Sequence, residues 1–280
     1  MTLSARSAIS RTRRGITLGL TVRLLLAASA VACFVLAMLP GQLIDPRLAL
    51  AGVAGAWVFL ALRSWQAARL GAEVPQLLAN GEFDAAERQI DRSIRSFSLF
   101  RPAKLVALHQ LAVLRMAQGR FSDAGDLCRE VLGHRLGRVS GLSRSSRMML
   151  AQASLESNDA LSAAGPLASL RQERLSLAES MNLLQLELDY QSRAGLWRQM
   201  ISGFMAKVQL AEVMPAGAAA RVQALIALSA RKTGRTDVAA WLRRRAELLE
   251  PPDEMVRQRP ILAELWSSPP PATGESPQPR

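Results

Sequence analysis

The side chains able to do chemistry are few and scattered. Two histidines, His109 and His134, have no Cys, His, Asp or Glu at the helical spacing a metal site needs, so neither reads as a ligand. The two cysteines, Cys33 and Cys128, lie in stretches of different character, one wholly apolar and one amphipathic, which excludes a disulfide framework or a zinc knuckle. No glycine-rich phosphate loop, nucleophile elbow or paired carboxylate array is present. The expectation is a chain that is not an enzyme and needs no cofactor or metal.

What remains is arginine. Arg135, Arg138, Arg144 and Arg147 form a basic stretch with no acid between Glu130 and Glu156, and Arg243, Arg244 and Arg245 form a second. Both are candidates for contact with anionic lipid headgroups, and both are equally compatible with solvated helix faces. The formal net charge is +12, but residues 1–69 supply eight arginines and the remainder is only mildly basic. Nucleic acid is therefore not expected as a partner.

The elements that would position these residues begin with a membrane end. Residues 1–20 carry Arg6, Arg11, Arg13 and Arg14 and no acid, and residues 21–39 are apolar apart from Arg23. Nineteen residues at about 1.5 Å each reach about 28 Å, enough to cross a bilayer core if Arg23 snorkels. A turn at 40–46 precedes a second apolar run within 47–65, which is short for a span and is extended by flanking Arg47, Arg63 and Trp65. Ala51 with Gly55 and Gly52 with Ala56 would let helices pack closely in lipid. A cleaved signal lacks a small-x-small site after the first run, and a lipoprotein box around Cys33 is followed by more apolar sequence rather than a polar turn. Arginines outnumber acids before the first run and follow the second at Arg63 and Arg69, with only Arg47 between the two runs. The positive-inside rule then expects two spans in an inner membrane and both termini in the cytoplasm.

From residue 70 to 266 one pattern recurs: a Gly or Asn, a large or apolar residue two positions on, and a small residue three further. It appears as Gly81, Phe83, Ala86; Gly119, Phe121, Ala124; Asn158, Ala160, Ala163; more weakly as Gly195, Trp197, Met200; and as Gly234, Thr236, Ala239. A steady period in this range marks a repeat architecture, here about five helical hairpins, within an all-α chain. The expected helix pairs are 70–78 with 84–96, the central pair around 111–131, 148–155 with 161–170, 183–190 with 197–208, and 221–230 with 238–249. Residues 253–266 would cap the open end, and 267–280 form a Pro-rich tail expected to be disordered.

This stretch resembles the tetratricopeptide repeat family, on Leu111, Ala112, Gly119, Phe121 and Ala124, answered by Leu150, Ala151 and Ala163. The period is longer than the family's 34 residues, Arg115 and Ser154 stand where the family places a tyrosine, and repeat four has Met200 in place of alanine. The resemblance implies an α-solenoid whose first helices bind peptide. That groove would contain His109, Val113, Met116, Met148, Gln152, Leu155, Gln185, Asp189, Ser192, Leu228 and Arg231. The Lys and Asn of carboxylate-clamping members are absent.

The expected function is a membrane-anchored scaffold that holds a protein partner of unstated identity at the cytoplasmic face. The alternative is an accessory subunit of a transport or envelope-biogenesis complex acting through its membrane hairpin. Arg-over-Lys, Ala-rich usage points to a bacterial source.

Overall fold

A computed structural model describes residues 3–37, 46–134 and 140–267, and all regular structure among them is helical. The chain divides into two compact units, residues 1–157 and 158–280. The first contains α1 (Ala5–Ala37), α2 (Pro46–Leu70), α3 (Val74–Ala79), α4 (Phe83–Arg95), α5 (Arg101–Ala117), α6 (Phe121–Leu132) and α7 (Ser140–Glu156). The second contains α8 (Ala160–Arg171), α9 (Leu177–Arg193), α10 (Trp197–Ile201), α11 (Phe204–Glu212), α12 (Ala216–Lys232), α13 (Thr236–Leu249), α14 (Pro252–Gln258), a 3-10 turn Pro260–Leu262, and α15 (Ala263–Ser267). The turn at 40–45 and the tail from 268 lie outside the described residues.

The repeat turns share one geometry. Gly81, Gly119, Asn158, Gly195 and Gly234 all have positive φ, between 57° and 79°. At four of them the next residue's N–H donates back to the carbonyl five positions earlier: Glu82 to Leu77, Arg120 to Arg115, Leu196 to Gln191 and Arg235 to Ala230, at 2.8–2.9 Å. That bond closes the spent helix end and aims the chain into the next helix, and it requires the left-handed conformation that Gly, and next Asn, adopts at least cost. The small positions then bury fully: Ala86, Ala124 and Ala163 are inaccessible, as is Met200. A β-branched residue at the central turn is expected to cost about 1–2 kcal/mol, so Gly119→Val lowers the denaturation midpoint while Gly119→Asn recovers most of the loss. A Val variant as stable as the wild type would mean the turn does not need positive φ.

Several boundaries differ from the sequence expectation, each for a local reason. The expected helix 197–208 is two helices, because Gly203 at φ 62° breaks it after Ile201. The first repeat helix shrinks to Val74–Ala79, because α2 continues to Leu70 and Pro75 must lie in a first turn. The C-terminal cap is two short helices around a 3-10 turn, and it buries Met255, Leu262 and Leu265 against the second unit's core.

The largest difference lies at the N-terminal end. The expected basic segment and apolar run are one helix, and α1 is the single described helix long and apolar enough to cross a membrane. Its halves have different environments. Ala5, Ala8, Thr12, Gly15 and Gly19 fall at alternating three- and four-residue steps, one face of a helix, and this face packs on α4, α5 and α6. Leu3, Ala5 and Ala8 are buried in the same core as Ile90, Leu108 and Leu111. Beyond Gly19 the large apolar side chains Leu20, Leu24, Leu25, Val31, Phe34 and Val35 are exposed, as are Leu48, Trp57, Val58, Phe59 and Leu62 of α2, which lies against α1.

Candidate functional site

Small side chains let the first half of α1 sit close, and polar groups fix its register. The Leu3 N–H donates to the Glu87 carboxylate. Arg115 donates to the Leu3 carbonyl and, at 2.8 Å, to the same Glu87 oxygen. Arg115 is completely buried; among the described residues Glu87 is the carboxylate that pairs with it, and its other terminal nitrogen donates to Gln118. Burial works to raise the Glu87 carboxyl, but the Arg115 and Leu3 hydrogen bonds overcome it and hold the group below the usual carboxylate range. Further along, Arg11 reaches Asp91 at 3.2 Å and Arg13 makes a bidentate bond to Glu130 at 2.6 and 2.7 Å. The Arg13 bond holds Glu130 below the usual carboxylate range against burial, with His134 at 3.2 Å assisting.

The Ser98–Phe100 loop is wedged between α1 and α2. A Cβ on Gly19 would stand 2.8 Å from the Ser98 carbonyl oxygen, so only glycine permits this approach. Ser64 of α2 accepts the Leu99 N–H at 2.7 Å, and Arg23 lies over the Phe100 ring at 5.4 Å. Arg63 over Phe59 and Arg69 over Trp65 give α2 two further cation-π pairs at the same end. The lysine beside this loop, Lys104, is buried and donates to the carbonyls of Ser93 at 3.1 Å, Ile94 at 2.6 Å and Ser96. Burial lowers it to about 8, which leaves it charged at neutral pH, a cation at the C-terminal end of α4 where the helix dipole favours one.

The groove candidates divide by unit. In the first, His109, Val113 and Met116 lie along one face of α5, half-buried, with half-buried Met148 and exposed Gln152 on the adjacent α7. His109 bridges to α7: its Nε2 is 3.2 Å from Ser145 Oγ and its Nδ1 3.0 Å from Ser146 Oγ. Burial pushes its pKa down to about 4, so the ring is neutral and acts as a polar clasp between two helices. Leu155 is not on an open face; it is buried in the packing.

In the second unit the candidates are largely consumed by the cap. Asp189 is buried and pairs with Arg193 at 3.4 Å and with Arg259 at 3.2 Å, and Ser192 and Leu228 are buried as well. Gln185 reaches the Met214 sulfur at 3.8 Å, and both Gln185 and Arg231 stay partly exposed. The reason is physical: α14, the 3-10 turn and α15 lie on α12, on whose side an open groove was expected.

Of the arginines proposed for lipid, Arg135 and Arg138 lie outside the described residues. Arg144 and Arg147 have partners within the protein. Arg243 pairs with Glu247 and Arg245 with Glu212, each at 2.8 Å, while Arg244 is exposed. No three His, Cys, Asp or Glu side chains among the described residues cluster closely enough to hold a metal ion.

Cys128 is buried in the first unit's core, and burial raises its thiol to about 12. It is expected to stay unreactive toward a thiol reagent at pH 8 until denaturant is added, since the attacking species is the thiolate. Rapid modification of folded protein at Cys128 would mean that α5 and α6 open readily.

Comparison with family models, curated proteins and solved structures finds no match to this chain.

Proposed function

We propose that this chain is a membrane-anchored scaffold whose tetratricopeptide-like repeats hold a protein partner at the cytoplasmic face of a bacterial inner membrane. The observation that carries the anchoring is the docking of residues 3–19 on α4, α5 and α6. Groups in hydrogen-bond contact share one side of a bilayer. A chain that leaves that side along the exposed apolar half of α1 and returns along α2 crosses it an even number of times, which favours two spans although among the described helices only α1 meets the length and apolarity of a span alone. The arginine distribution supports a cytoplasmic location for the shared side. The scaffold role is supported by the five like turns and by the half-buried Val113, Met116 and Met148, an apolar surface suited to a helical or extended segment of a partner.

Gly52 and Gly55 favour a second reading. A Cβ at either would meet nothing within 4 Å, so this face of α2 is open to a helix of another membrane protein, as in an accessory subunit of a membrane complex. One experiment separates the two. Full-length tagged protein is cross-linked in cells and purified from the membrane fraction, alongside Met116→Glu and a Gly52→Leu/Gly55→Leu pair. The scaffold reading expects a specific partner that is lost with Met116→Glu and kept with the glycine pair. Loss only with the glycine pair would transfer the function to the spans. Recovery of the protein in the soluble fraction would overturn the anchoring itself.

A further inference from the structure

A cavity of about 360 Å³ lies between α1 and the end of α4, lined among others by Arg11, Arg14, Leu18, Arg95, Lys104 and residues 96–98. Four of those groups are basic and none is acidic. Arg11 and Arg95 share a single carboxylate outside the lining, Asp91, at 3.2 and 2.7 Å, so positive charge remains in excess around the cavity. Lys104 contributes from within, held in place by its three carbonyl acceptors. Ser96, Phe97 and Ser98 belong to the segment leading into α5, so the site is built from three separate stretches of chain.

Its location matters as much as its charge. Leu18 lines the cavity and is itself exposed, and the large exposed apolar side chains of α1 continue from it. Arg14, Leu18 and Leu25 stand four and seven residues apart, on one face of α1, so the face that brings Arg14 to the cavity carries apolar side chains away from it. A ligand matching both features has a compact anionic head and a long apolar tail. Free phosphate would satisfy the arginines and leave the apolar track unused. A zwitterionic head would bring a cation into a basic cavity.

We propose that this cavity is the headgroup site of an anionic phospholipid, with the phosphate held by Arg14 and Arg95 and an acyl chain lying along Leu18 and Leu25. Guanidinium groups suit the phosphate because they donate in a planar fork. The inference rests on the anchoring reading above. It places lipid recognition on α1 and α4, and not on the two arginine stretches that stand out in the sequence. A bound lipid would bridge the two helices at the level where α1 leaves the repeats.

The test uses the full chain in detergent, observed by native mass spectrometry during titration with phosphatidylglycerol, with phosphatidylcholine, and with inorganic phosphate. The variant is Arg14→Gln/Arg95→Gln. Its charge-matched control is Arg6→Gln/Arg92→Gln, two exposed arginines on the same helices and outside the lining. Wild type and control are expected to retain one phosphatidylglycerol in preference to phosphatidylcholine. The variant is expected to bind it about tenfold or more weakly with unchanged helical content. Equal retention of the two lipids by wild type, or equal phosphatidylglycerol binding by variant and control, would overturn the proposal. Displacement of the lipid by millimolar inorganic phosphate would instead assign the cavity to a free anion. Alkaline extraction of the same protein from membranes keeps the two readings apart: a chain that resists extraction but shows no lipid preference loses this site and keeps its anchor, and one that is extracted loses both.

Discussion

Glu87→Ala is expected to destabilise the first unit by about 3–5 kcal/mol, more than any other single side-chain truncation at the α1 docking face. The substitution leaves Arg115, which has no exposed side-chain surface, as a buried cation without its carboxylate. It also removes the acceptor of the Leu3 N–H and so loosens the start of α1. Two readouts move together: the thermal midpoint in detergent falls, and trypsin gains access to Arg11, Arg13 and Arg14. Glu87→Gln keeps an acceptor for both donors and is expected to lose less. Arg115→Met is also expected to cost less than Glu87→Ala, because it removes the buried charge and leaves a carboxylate that can take up a proton. A loss below about 1 kcal/mol for Glu87→Ala, with no change in proteolysis, would mean that Arg115 is hydrated and that α1 docks without it.

The second large effect is a dependence on pH in a window set by His109. Its folded pKa is about 4 and its ordinary value is 6.5, so between these limits the unfolded chain binds a proton that the folded chain does not. The contribution of His109 is therefore complete above pH 6.5 and is lost progressively as pH falls toward 4, by about 3 kcal/mol across the window. Glu87 and Glu130 act lower: their carboxyls are depressed in the fold, so their contribution is complete above their ordinary value of 4.5 and lost only beneath it. The two sources are separable by comparing unfolding midpoints at pH 7 and pH 5. His109→Gln should flatten that difference and leave the acid limb intact. A wild-type midpoint unchanged between these pH values would show that the imidazole accepts a proton without leaving its place between Ser145 and Ser146.

The repeat turns were legible in the sequence because their requirement is local. A left-handed backbone position selects Gly or Asn, and all five residues picked by pattern have positive φ. Gly203 shows the limit of that logic, since it has the same conformation but falls outside the period and so splits a helix that reads as continuous. The docking of α1 was not legible. Ala5, Ala8, Thr12, Gly15 and Gly19 carry little hydrophobic signal, and the surface that they meet is 84 residues away at the Leu3 to Glu87 contact. Arg115 was the one visible trace, a departure from the tyrosine of the resembled family, and the structure gives it a physical role as the counter-charge of Glu87. In the second unit the packing of the cap over Asp189 was not legible, because Arg259 and the residues around Met255 belong to a segment whose own pattern says nothing about which face it will cover.

The Ala5–Ala37 helix has no proline and runs unbroken through the level of the Ser98 loop, about 50 Å from end to end. An α-helix of this length is stiff, so whatever sets the slant of its apolar half also sets the slant of the first repeat unit clamped to its other half. In a thinner bilayer a span leans further to keep its apolar length covered. On the anchoring proposed above, that lean would carry α4, α5 and α6 along with α1, and it would move a partner held on α5 toward or away from the lipid surface. Bilayer thickness would thus become a mechanical input to the repeats, transmitted along one unbroken helix.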